Sequence, residues 1–133
     1  MTATVNWLLE NRVIYSRVTH PLSAADIDDL GEKAQQLIHS TDAPVYDIID
    51  MRETDGFLTS LADIVQLAEY LRTDNLSYVV MVTDNPAARF MVGMASKIAG
   101  AQFSVFDTLA EGLDFLNATD GALPILKDHF AGV

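Results

Sequence analysis

Ser77-Tyr78-Val79-Val80-Met81-Val82-Thr83-Asp84-Asn85-Pro86 is the stretch on which the fold turns. Its first seven residues are almost continuously apolar and rich in β-branched side chains, the composition of a strand covered on both faces. Such strands belong to sheets with helices packed against them. The next three residues start a helix: an Asp or Asn side chain offers a capping oxygen, and Pro86 takes the first helical position, where no N–H is needed. Ala87, Phe90, Met91, Met94 and Ile98 then recur on one helical face, which the spacing predicts to be the inward one. Gly100 supplies the C-terminal stop.

Toward the N-terminus the same grammar repeats. Ser60 with Asp63 is a capping pair, with Thr59 as an alternative cap, and Leu61, Ile64, Leu67, Ala68 and Leu71 form the stripe of a helix. Before it, Pro44 ends a connection and Val45-Tyr46-Asp47-Ile48-Ile49-Asp50 reads as a strand. Ser23 with Asp26 opens an earlier helix carrying Ile27, Leu30, Ala34, Leu37 and Ile38. Thr4 to Leu9 and Arg12 to Val18, separated by Glu10-Asn11, predict an antiparallel hairpin. Toward the C-terminus, Gln102 to Phe106 is a last strand. Thr108 with Glu111 opens a last helix carrying Leu109, Leu113, Phe115 and Leu116. The order is β-β-α-β-α-β-α-β-α, an α/β fold with a five-stranded mixed sheet and four helices. No repeat or linker divides residues 1–133, which predicts a single domain.

Composition narrows the function classes. Half of the 133 residues are hydrophobic and a fifth are charged, the balance of a packed globule. There is no cysteine, no apolar run long enough to span a membrane and no signal-peptide pattern at the start, which together predict a cytoplasmic protein. A net charge of −11 repels phosphate backbones and anionic headgroups, so neither nucleic acid nor membrane is an expected partner. The charge serves solubility or steers a basic protein partner.

Element order and three stretches resemble the SpoIIAA-like superfamily, which includes STAS domains and the STAS/SEC14-like proteins. The stretches are Val45 to Asp50, Ser77 to Asp84, and Val105-Phe106-Asp107-Thr108-Leu109-Ala110-Glu111-Gly112-Leu113-Asp114-Phe115-Leu116, an aromatic strand followed by a helix closing on an aromatic-Leu pair. The resemblance runs from residue 4 to about residue 118 and implies a regulatory or protein-interaction module of bacterial type rather than an enzyme. In STAS-type antagonists of anti-sigma factors, a serine at the start of the second helix accepts a phosphoryl group within an Asp-Ser-Ser-Gly-Leu-like motif. The matching stretch is Phe57-Leu58-Thr59-Ser60-Leu61, with Thr59 in place of the aspartate and the glycine missing. Ser60 is therefore either a helix cap or a phosphoacceptor.

Other chemistries lack their parts. His20, His39 and His129 are scattered and no thiolate exists, so no metal site is expected. No glycine-rich phosphate cradle and no Gly-x-Ser-x-Gly elbow occur, so no nucleotide or other cofactor and no catalytic residue is assigned. A phospho-acceptor receiver would need an acidic pair near residues 17–20 and a lysine after Phe106, and neither is present. Gly93, inside a helix, reads as a close-packing position. The five methionines read as core.

Two classes of function stay open. One is an interaction module acting on an unidentified protein partner, with a homodimer possible. The other is a small-ligand or lipid-like binder of the SEC14-like branch. Its pocket would lie at the C-terminal ends of the strands, where open α/β sheets bind ligands, and would be lined by His20, Asp50, Phe57, Leu58, Asp84 and Asn85. Asp47 and Arg17, at equivalent levels on adjacent strands, would either line a polar pocket or form an ordinary cross-strand pair. Trp7 and Tyr15 would cover the core or an interface.

Overall fold

The computed structural model describes residues 3–19, 24–53 and 61–130. Strands β1 (Ala3–Leu9) and β2 (Val13–Val18) form the antiparallel hairpin, followed by α1 (Ala24–His39), β3 (Val45–Asp50), α2 (Leu61–Leu71), β4 (Leu76–Val82), α3 (Pro86–Ala99), β5 (Phe103–Phe106) and α4 (Leu109–Thr119). The sheet order is β1-β2-β3-β4-β5, with β2 to β5 parallel. A short 3-10 turn, Leu126–His129, follows α4. It has no sequence periodicity to announce it, and α4 runs three residues beyond its last predicted apolar position.

Local chemistry accounts for the joints. In the hairpin, Arg12 N–H donates to Leu9 O at 3.0 Å and Asn11 takes the left-handed φ of 67°, which asparagine tolerates. Asn85 Oδ1 accepts from the backbone of Ala87 (2.9 Å) and Ala88 (3.4 Å), capping α3, which ends on Gly100 at φ 73°. Thr108 caps α4 through the N–H of Glu111 at 3.2 Å.

The pleat sorts side chains onto two faces. Under α1, α2 and α3 lie Val18, Ile49, Met51, Val79 and Met81, packed on Ile27, Leu67, Met91 and Ala95. Under α4 and the 3-10 turn lie Val13, Tyr46, Ile48, Val80 and Val82, packed on Leu109, Leu113, Leu116 and Leu126. Trp7 is half-buried against the cluster of Ile14, Ile38 and Val45.

The inward face of α3 differs from the one its bulky residues predict. Ala88, Met91, Val92, Ala95 and Ser96 are buried, whereas Phe90 is 64% exposed and Ile98 38%. Met91 keeps its predicted inward place and Met94 packs partly against the core, while Ala88, Val92, Ala95 and Ser96 take the rest of the buried side and Phe90 and Ile98 turn outward. Gly93 is buried facing the Phe103 ring, but a Cβ there would meet that ring at 3.5 Å, an ordinary contact, so the close packing expected of it is not required at this position.

The pairing of Arg17 with Asp47 is also corrected. Arg17 lies opposite Asp50 in the register, so it shares the α4 face with Tyr15 and Asp50, while Asp47 points to the other face. Arg17 pairs with Glu53 instead, and Asp47 with Ser16.

Candidate functional site

Three side chains converge at the C-terminal ends of β2 and β3 on the α4 face. Tyr15 comes from β2, Asp50 is the last residue of β3, and Arg52 stands two residues on. Asp50 is only 3% exposed. Its carboxylate accepts from Arg52 Nε (2.9 Å), Arg52 Nη2 (2.7 Å) and Arg52 N (3.2 Å), and from the Tyr15 hydroxyl. Burial works against its charge, but these donors outweigh burial and hold Asp50 below the usual carboxylate range. Burial, then the bond to Asp50, pushes the Tyr15 hydroxyl up to about 12. The Phe130 ring stands edge-on to Tyr15, 4.8 Å between centroids, and Arg17 with Glu53 flanks the group. With its carboxylate fully engaged and its tyrosine held protonated at neutral pH, the cluster presents the outer sides of two guanidiniums rather than a free base or nucleophile.

A second tyrosine–aspartate–arginine clasp ties the end of α4 to the sheet. Asp120 Oδ2 accepts from Tyr46 Oη (2.8 Å) and Arg12 Nη2 (2.7 Å). Its hydrogen bond to Tyr46 is the main cause of its lowered pKa. The two clasps lie at opposite ends of one sheet face, each joining a strand tyrosine to an arginine-bound carboxylate.

On the other face, Ser16 Oγ donates to Asp47 Oδ1 at 3.0 Å, both groups buried. Burial pushes Asp47 up to about 7.

Of the residues expected at the mouth, Asp50 belongs to the first clasp, Asn85 is spent as a helix cap, and Asp84 is exposed beside it. His20, Phe57, Leu58, Thr59 and Ser60 lie outside the described residues. A cavity of about 370 Å³ opens at the opposite, N-terminal end of the parallel strands, lined by Gln35, His39, Arg72, Thr73, Asp74 and Asn75. No motif pointed to it, because its lining comes from a helix end and a loop that are far apart in sequence. Among the described residues no group of three acidic, histidine or cysteine side chains is placed to hold a metal ion, and no helix is long and apolar enough to cross a membrane.

The helix pair α2–α3 presents a different kind of surface. Arg72 Nη2, just past α2, donates to Ile98 O of α3 at 3.3 Å, so the two helices lie side by side. Val65 on α2 (41% exposed), with Phe90 and Ile98 on α3, leaves an apolar outer surface on this pair.

No protein-family model matches the chain, and no curated protein matches it. Among solved structures, it is similar to an uncharacterized protein from the DUF3478 family with a SpoIIAA-like fold from Shewanella loihica PV-4. The identity is 15%, the TM-score 0.60, and the match covers 86% of this chain and 91% of that one. Element order, sheet topology and this likeness agree: the fold of the chain is SpoIIAA-like.

Proposed function

We propose that the chain is a non-enzymatic interaction module of the SpoIIAA/STAS-like type, which docks a protein partner on the outer surface of α2 and α3. The observation that carries this reading is the exposure of Phe90, 64% open to solvent on α3, with Ile98 further along the same helix and Val65 on the neighbouring α2 also exposed. Bulky apolar side chains left exposed on one helix pair are the residue type that interaction surfaces use. The polar groups at the strand ends support the same reading, since Asp50 and Asn85 are bound within the chain.

The test is affinity capture from source-cell lysate with the wild type and with Phe90→Asp, a substitution on an exposed site. A protein retained by the wild type and lost by a variant of unchanged melting temperature supports docking on this surface. Native mass spectrometry of the freshly purified chain provides the opposing arm. A stoichiometric small molecule, together with equal capture by both forms, would replace the interaction reading by a ligand-binding one of the SEC14-like kind.

A further inference from the structure

We infer that two copies of this chain join through β5, edge to edge, extending the two sheets into one. Strand β5 is the last in the sheet, and its ladder leaves half of its backbone groups unused. Val79 N–H donates to Gln102 O and Thr83 N–H to Phe106 O, each at 2.9 Å. The pairing of Val79 with Phe103 and of Met81 with Val105 is regular. In a parallel ladder, alternate residues direct their N–H and C=O to the same neighbour. Residues 102, 104 and 106 therefore bond to β4, while Phe103 and Val105 point both groups to the open edge. Among the described residues the contact made there is long, from the Tyr78 hydroxyl to Phe103 O at 3.4 Å, and leaves that carbonyl a second lone pair.

Open edges are ordinarily guarded by charge, proline or a bulge. Phe103-Ser104-Val105-Phe106 carries no charge and no proline, and its register is unbroken. The opposite edge is treated differently, with a bulge between Trp7 and Leu9 of β1.

The geometry selects a second copy as the occupant. Two β5 strands related by a two-fold axis normal to the sheet run antiparallel. With Ser104 on the axis, Phe103 of each faces Val105 of the other, and all four outward N–H groups meet outward carbonyls. The same operation puts Asp107 opposite Ala101 of the second copy, two residues past the end of its α3. Lys97 in that last turn is exposed and has no ion-pair partner among the described residues, while Asp107 is ion-paired with Arg89 and its side chain remains 65% exposed. The Arg89-paired Asp107 of each copy is thus brought toward the chain segment that follows the other copy's α3, once on each side of the axis.

Sedimentation equilibrium of the wild type should give twice the chain mass. Val105→Pro removes an outward N–H without touching the bonds to β4, so it should abolish the dimer and keep the far-ultraviolet spectrum of the fold. Lys97→Glu should weaken association about tenfold. Should Val105→Pro fail to fold, amide exchange of the wild type decides: Phe103 and Val105 should be protected at high concentration and exposed on dilution. A monomeric wild type, a Val105→Pro variant that stays dimeric, or rapid exchange of both amides at every concentration would overturn the inference.

Discussion

Asp47 shows how much one side chain can set the response of this protein to pH. Its carboxyl is buried with Ser16, and its pKa rises from 3.8 to about 7 because the ion is deprived of water. The folded state therefore holds this proton more tightly than the unfolded chain does. Below about pH 4 both states are protonated and nothing is lost. Between about pH 4 and 7 the unfolded chain gives up this proton while the native state keeps it, so stability falls by up to about 4 kcal/mol and levels off once the native carboxyl ionises. Asp47→Asn should remove that decline, so the gain over wild type in urea-unfolding free energy should grow between pH 4 and 7 and then level off. Gly31 is the steric counterpart. A Cβ there would lie 2.2 Å from the Tyr70 ring, which is anchored by its hydroxyl on Asp28 at 2.7 Å. Gly31→Ala should cost about 1–3 kcal/mol in denaturant unfolding, since the ring or the α1–α2 spacing must give way. Neither residue was legible in this role beforehand. Asp47 read as a candidate partner of Arg17, because which face a strand residue takes depends on register. The cost at Gly31 depends on a ring from another helix.

Helices and strands were more legible, because their signals are local. The capping of α3 by Asn85 before Pro86 stands as the sequence reads it, and Asn85→Ala should lower stability by about 0.5–2 kcal/mol, measured as a shift in the unfolding midpoint. All five strands and four helices occupy their predicted stretches, with ends displaced by at most three residues. The rotation of α3 was not legible, and the reason is instructive. A stripe chosen by residue size assumes that large side chains fill the space beneath a helix. Here Ala88 and Ala95, with no exposed surface, share that space with Met91 and Val92, while Phe90 and Ile98 stay outside. The 3-10 turn escaped notice for another reason: four residues are too few to show a period, and its anchor is the single buried Leu126.

For the molecule as a whole, the fold was readable and the site much less so. Buried strands announce themselves by composition, and Val80 in the middle of the sheet is fully buried between neighbours on both sides. Val80→Asp should destabilise by about 3–5 kcal/mol, detectable as a large drop in melting temperature, since the new carboxylate would have no water and no partner. Function depends instead on which polar groups remain free once the chain is folded, and that is decided by contacts such as Arg52 on Asp50 or Arg12 on Asp120. The order β1-β2-β3-β4-β5 carries a consequence for how the protein is made. Each strand bonds to the one before it in sequence, so no segment has to be threaded between two already placed. As the chain leaves the ribosome, every emerging strand–helix unit finds its docking edge already formed, and the sheet extends in a single direction at the pace of translation.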